Sequence, residues 1–271
     1  MPELPEVETV VRDLDRLVRG GVFGETEVLR PDMLEGVEPD RISLLLRDRR
    51  IERVTRRAKN IVFELEPDRL VVNLGMTGRL LVGQPGEADP PYLGVRFLLA
   101  DGREIRFTDV RRFGNVRHFD ERAWQTRERE WGVEPLSPAF TPEWLHQAAS
   151  GSRVAIKAWL MDQRRVVGVG NIYASEALFR ARLDPRRPAH SLSPSEARRL
   201  HGAVQGVLAE AIEFRGTTFL DYRDAEGNPG GFVARLRVYD RAGAPCLACD
   251  TPIERIVQGG RSSFFCPRCQ R

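Results

Sequence analysis

The sequence predicts an α+β chain of several domains: a β-sandwich with a flanking helix, a helical region and a small metal-bound tail. Three observations carry this reading. Apolar residues recur at helical spacing over the first twenty positions, residues 22–119 break into short β-type runs, and all four cysteines fall in the last 26 residues. At 271 residues, 41% hydrophobic and 30% charged, the chain can bury a sizeable core, and at roughly 100–200 residues per domain it fits two domains better than one. Disordered and fibrous classes are excluded.

Between Pro5 and Gly20 the apolar positions are Val7, Val10, Val11, Leu14, Leu17 and Val18, with Glu8, Arg12, Asp13, Asp15 and Arg16 between them. That is one apolar stripe on a helix. The next stretch alternates short runs, Ile61 to Leu65, Leu70 to Leu74, Val95 to Leu99 and Glu104 to Phe107, with Gly, Pro and Asp turns. These strands are expected to form a sandwich or flattened barrel against the first helix. Residues 131–138 are rich in Pro and Gly and read as a linker. Helical signals follow, at Thr141-Pro142-Glu143 and at Ser193-Pro194-Ser195-Glu196, where a capping hydroxyl precedes a proline in the first turn.

The tail reads Cys246-x-x-Cys249, sixteen intervening residues, then Cys266-x-x-Cys269. Two such knuckles close one tetrahedral zinc site. A pair of disulfides is the competing reading, disfavoured because the rest of the chain has no cysteine and no secretory segment. Four thiolates leave no open coordination position, so one structural Zn²⁺ is expected. Between the knuckles, Gln258-Gly259-Gly260-Arg261 predicts a hairpin turn with Arg261 at or near its tip.

Charge narrows the function classes less than its distribution does. Lys+Arg 42 against Asp+Glu 39 gives a net charge of +3, which alone points to no polyanionic partner. Only Lys59 and Lys157 are lysines; the other forty basic residues are arginines. No run approaches the ~18–20 apolar residues of a membrane span, and the start Met1-Pro2-Glu3-Leu4 lacks a basic, apolar leader, so a soluble protein is expected.

The start also offers chemistry. Removal of Met1 exposes Pro2 as a secondary amine, and an α-amino group titrates near ~7.7–8.0, so an appreciable fraction is neutral and nucleophilic at neutral pH. Attack on a sugar C1′ gives a cationic iminium that acidifies the C2′ proton. Glu3 and Glu6 lie beside it as candidate acids. The bland alternative is a capped helix start with acids at the positive end of the dipole.

These residues belong to a longer set: Pro2 to Thr9, Arg56-Arg57-Ala58-Lys59, Leu74-Gly75-Met76-Thr77-Gly78, Asp109-Val110-Arg111-Arg112-Phe113-Gly114, Ile156 to Gln163, Val167 to Glu176 and the cysteine tail. In that order the chain resembles bacterial formamidopyrimidine-DNA glycosylases. The resemblance implies an N-terminal β-sandwich over 1–134, a helix-two-turn-helix domain over 135–240 and a zinc finger over 241–271, with DNA in the cleft between domains. It implies excision of oxidised purines such as 8-oxoguanine and formamidopyrimidines, then strand cleavage by β,δ-elimination.

Carried over by position, Pro2 is the nucleophile, Glu3 the acid and Lys59 a contact to the damaged nucleotide or its phosphate. Lys157, Asn171 and Arg261 hold backbone phosphates. Met76, Arg111 and Phe113 fill the space of the everted base, and the segment Thr217 to Phe232 closes over that base. Val110 and Ala158 stand where proline is usual in this family, and Ser263 where threonine is common, which puts local rigidity in question. The implied partner is damaged double-stranded DNA, met by a monomer in the bacterial cytoplasm, with no membrane role. An endonuclease VIII type enzyme is disfavoured by the separation of Met76 from Arg111 and Phe113, and a non-catalytic binder by the intact Pro2-Glu3 start.

Overall fold

The computed structural model describes residues 2–219 and 222–271, and the chain divides into two compact units. One joins Met1–Arg129 to Phe214–Gly231; the other joins Glu130–Glu213 to Phe232–Arg271.

The first unit opens with helix α1 (Leu4–Val18), as the apolar spacing predicts. Pro5 stands in its first turn, where a missing N–H removes no helical bond. Strand β1 (Phe23–Val28), helix α2 (Pro39–Leu46), strands β2 (Arg53–Arg57), β3 (Asn60–Glu64), β4 (Arg69–Asn73), β5 (Arg79–Gly83), β6 (Leu93–Leu99), β7 (Glu104–Thr108) and β8 (Asn115–Phe119), and helix α3 (Glu121–Arg129) follow. Among the described residues, these strands make two antiparallel four-stranded sheets, ordered β1-β6-β7-β5 and β2-β3-β4-β8.

The two sheets share one core. Phe23 of β1 lies edge-on to Phe63 of β3, in the other sheet, with ring centroids 6.2 Å apart, and to Phe97 of β6 at 5.9 Å. Such tilted pairs suit the aromatic quadrupole. Ile61, Leu70, Val72, Ile105, Phe107 and Val116 are buried in the same cluster, as are Val7, Val10 and Leu14 of α1. Helix α1 packs on β2 and β3, and β3 is buried along its first four positions. Its apolar run is therefore continuous rather than alternating.

Some elements differ from the sequence reading. Helix α2 lies within the stretch read as strands; Pro39 starts it, and Ile42 and Leu46, one turn apart, seat it in the core. Strand β2 carries three arginines and one buried residue, Val54, so no apolar pattern marks it. Residues 214–231, expected within 135–240, pack in the first unit instead. Tyr222 and Ala225 join the sandwich core, and the Val82 N–H donates to the Ala225 carbonyl at 3.4 Å.

The second unit holds α4 (Pro142–Ser150), α5 (Ile156–Leu160), α6 (Asn171–Ala181) and α7 (Pro194–Glu213), with α4 and α6 packed on α7. Leu145, Trp159, Leu178, Leu200, Val204 and Leu208 fill its interior. Both predicted caps form. The Thr141 hydroxyl accepts the Trp144 N–H at 3.1 Å, and Ser193 and Glu196 exchange bonds at the start of α7. Fully buried Glu176 of α6 accepts the backbone N–H groups of Arg237, Val238 and Tyr239, each at 2.9 Å. That fastens the segment leading to the tail, where strands β9 (Glu254–Gln258) and β10 (Arg261–Phe265) form a hairpin. Among the described residues, no helix is long and apolar enough to cross a membrane.

Glu196 also meets the Arg187 guanidinium at 2.6 Å, which holds its carboxyl down at about 2. A carboxyl depressed in the folded state contributes stability above its ordinary value of 4.5, and that contribution is lost as pH falls toward 2. Glu196→Gln is therefore expected to lower stability by about 1 kcal/mol at pH 7 in urea unfolding. The gap should narrow as the titration is repeated from pH 5 down toward pH 2; a gap independent of pH would refute the assignment.

Candidate functional site

Helix α1 begins at the residues expected to carry chemistry. Pro2 is buried and Glu3 is 3% exposed at the N-cap. The third helical position, Glu6, is buried too, and its carboxylate spans two segments: one oxygen accepts the Glu3 N–H at 2.8 Å, the other the Thr217 N–H at 2.7 Å. Gly216, at φ +82°, allows this approach, because a Cβ there would lie 2.8 Å from the same carboxylate. The Tyr222 hydroxyl donates to the Glu6 carbonyl at 3.3 Å. Burial, and then the Glu6 carboxylate, raise its pKa, so it remains a donor. Arg215 completes the join, donating to Asp13 of α1 and to Asp224, both at 2.6 Å. Leu220 and Asp221, inside the expected closing segment, lie outside the described residues, as does Met1. Glu6 is thus engaged as a brace, a role its place three residues beyond the N-cap could have signalled.

Lys59 occupies the two-residue turn between β2 and β3, where Ala58 has φ +57° and Arg57 pairs with Asn60. Arg56 ties that turn to α1, donating to Glu8 at 3.0 Å and to the Ala58 carbonyl at 2.9 Å. On the other side, the Asn73 amide donates to the Lys59 carbonyl and to Asn60, while its oxygen accepts the Gly75 N–H at 2.9 Å. This polar relay leads from the helix start to the Met76 turn.

Met76, Arg111 and Phe113 come together on two abutting turns. Gly75, at φ +57°, presses its α-carbon so close to Phe113 and Gly114 that an added Cβ would lie 2.5 Å from their backbone. The Arg111 guanidinium carbon lies 4.6 Å from the centre of the Phe113 ring, a cation–π distance. Met76 is 37% exposed and Phe113 56% exposed, so neither is a core residue. Buried Asp109 links the turns by accepting the N–H of Arg111 at 3.1 Å and of Gly114 at 2.7 Å, and the Thr77 hydroxyl.

In the second unit, Lys157, Asn171 and Arg261 also converge. Lys157 is 2% exposed, and its ammonium donates to the Asn171 side chain at 2.6 Å, the Ser263 hydroxyl at 2.7 Å and the Ser262 carbonyl at 3.0 Å. It therefore lies beneath the surface, joining α5 and α6 to the hairpin. Arg261 is exposed and pairs with Gln258 across the turn Gly259-Gly260, whose φ angles are +55° and +74°. With Lys157, Asp162 and Ser263 it lines a recess of about 190 Å³.

The four cysteine sulfurs lie within 4.8 Å of one another. Cys246 and Cys269 are 3.9 Å apart, Cys249 and Cys266 3.5 Å, and Cys249 and Cys269 3.3 Å. Disulfide bonding, at ~2.05 Å, is excluded by these separations. A tetrahedron with Zn–S bonds of about 2.3 Å has edges of about 3.8 Å, so the donor set fits one zinc with no open position. Cys269→Ser is expected to reduce bound zinc from one equivalent to near none in metal analysis. Amide protection in residues 243–271 should fall while that of the sandwich persists in hydrogen exchange.

Comparison with known proteins covers nearly the whole chain. Family models match residues 1–116 (formamidopyrimidine-DNA glycosylase N-terminal domain), 131–222 (formamidopyrimidine-DNA glycosylase H2TH domain) and 243–271 (zinc finger found in FPG and IleRS). The formamidopyrimidine-DNA glycosylase of Symbiobacterium thermophilum is 44% identical, over all of this chain and 89% of that protein. That of Edwardsiella ictaluri is also 44% identical, over the full length of both. Among solved structures, the MutM (Fpg) protein from Thermus thermophilus has a TM-score of 0.89 at 43% identity, covering 99% of this chain and 98% of that one. Lactococcus lactis Fpg in complex with DNA containing an abasic site has a TM-score of 0.92 at 28% identity, covering 99% of both. Since this likeness runs from the first residues to the last cysteines, the chain belongs to the formamidopyrimidine-DNA glycosylase family.

Proposed function

We propose that this protein excises oxidised purines, including 8-oxoguanine and formamidopyrimidines, from duplex DNA and then cuts the strand at the abasic site. The carrying observation is the start of α1, where Pro2 and Glu3 are buried and Glu6 fastens them to the segment beginning at Thr217. Family membership supplies the substrate class.

The chemistry follows from those groups. With Met1 removed, the Pro2 nitrogen attacks C1′ of the damaged nucleoside, the bond from C1′ to the base breaks with its electron pair leaving on the base, and the proton given up by the Pro2 nitrogen neutralises the departing base. Glu3 passes its proton to the ring oxygen, which opens the sugar and leaves a C1′ iminium on Pro2. Loss of the C2′ proton then breaks the bond to the 3′ oxygen, and a second proton loss breaks the bond to the 5′ oxygen.

Extruding the base costs a few kcal/mol and leaves a gap in the stack. Met76, Arg111 and Phe113 fill it: two apolar side chains wedge, and the guanidinium meets the unpaired base opposite. The Lys59 ammonium meets the damaged nucleotide or its phosphate. Asn171 and Arg261 hold backbone phosphates, with the Lys157 charge set behind them, and the zinc site keeps the hairpin rigid. The functional domains are taken as 1–134, 135–240 and 241–271, with the segment Thr217 to Phe232 closing over the base. One chain supplies every group named, so the protein is taken to act as a monomer, in the bacterial cytoplasm where the chromosome lies.

Borohydride reduction with an 8-oxoguanine duplex is expected to yield a covalent complex, mapped to Pro2 by peptide mass. A version carrying one extra residue before Pro2 should bind the duplex yet give no complex. Trapping that persists there would remove Pro2 from the mechanism. Arg261→Ala is expected to weaken duplex binding and reduce the slope of log affinity against log salt by about one, with an unchanged melting temperature. Lys157→Met should lower the melting temperature as well, because three internal acceptors lose their donor.

A further inference from the structure

We propose that Asp109, with Thr77, is a positioning residue that assembles Met76, Arg111 and Phe113 into one rigid wedge before DNA is met. The inference rests on the reading that these three side chains fill the vacated base position. It assigns the wedge's mechanical strength to a carboxylate that touches no base.

The geometry is specific. Asp109 is 2% exposed. One carboxylate oxygen accepts the Arg111 N–H and the Thr77 hydroxyl; the other accepts the Gly114 N–H. The Thr77 oxygen accepts the Arg111 N–H as well, at 3.1 Å. One acid thus grips the Arg111–Phe113 turn at both ends and, through Thr77, the turn bearing Met76. The glycine contact presses the two turns together: Gly75 leaves no room for a Cβ against Gly114, and a Cβ added at Gly114 would lie 2.7 Å from the Asn73 carbonyl oxygen. Arg112, between the two gripped N–H groups, has φ +54°, a backbone state that needs such external support.

A carboxylate is suited to this task because every group facing it is a donor and it is acceptor-only. An amide of the same shape would turn an NH₂ group toward one of those donors. Preassembly matters because side chains entering a duplex lose conformational freedom, and loss already incurred in the free protein does not weigh on the insertion step.

The test uses the full-length, zinc-loaded protein and an 8-oxoguanine duplex carrying 2-aminopurine beside the lesion, whose fluorescence follows base extrusion in stopped flow. Asp109→Asn and Thr77→Val are expected to slow extrusion by about 10–100-fold. Both should extrude the base at near the wild-type rate when the nucleotide opposite the lesion is absent, since no base pair then has to be broken. Thr77→Val keeps the test valid where Asp109→Asn fails to fold. Equal slowing on both duplexes would show a merely structural role and overturn the proposal. Met76→Ala and Phe113→Ala run alongside. If these two extrude the base at the wild-type rate, the wedge reading fails; if they slow while the Asp109 and Thr77 variants do not, only the bracket fails.

Discussion

A buried carboxylate is tolerated only where donors surround it, and this protein uses that constraint to join segments remote in sequence. Glu6 takes N–H groups from residues 3 and 217, Asp109 takes them from residues 111 and 114, and Glu176 takes three in succession from residues 237–239. Each acid satisfies backbone groups that no helix or sheet ladder reaches. Irregular backbone is thereby held in place, and the candidate functional side chains project from it.

The division of labour is consistent. Regular elements supply the core: two sheets meet through Phe23, Phe63 and Phe97, and helices pack on α7. Site residues sit at the ends and turns of those elements. Pro2 and Glu3 precede α1, Lys59 and Met76 occupy turns, Asn171 opens α6 and Arg261 follows a glycine turn. A rigid scaffold fixes the roots of the side chains at such positions.

Much of this was legible in the sequence where the signal is local. The stripe from Val7 to Val18, the strands of the core, the caps at Thr141 and Ser193, and the hairpin tip at Arg261 all follow from short-range spacing or turn chemistry. The paired cysteines are equally local. Strand β2 escaped because four of its five residues are polar, and helix α2 because it is only eight residues long and its run Leu44-Leu45-Leu46 shows no clear helical spacing, Leu44 being exposed while Ile42 and Leu46 are buried. The burial of Lys157 escaped for another reason: its acceptors are more than a hundred residues away at Ser262 and Ser263, which no window spans. Glu6, Arg56 and Asp109 stood within quoted motifs, yet their work as braces needs the three-dimensional pairing of distant loops.

The excursion of residues 214–231 into the first unit carries a consequence for biogenesis. That unit is discontinuous in the chain, with the whole of Glu130–Glu213 synthesised between its two pieces. A nascent polypeptide that has only just released Arg129 from the ribosome holds the sandwich but not Thr217, Tyr222 or Arg215, so α1 has yet to receive their bonds. The proposed nucleophile reaches its finished surroundings only after residues about two hundred positions further along the chain have been made.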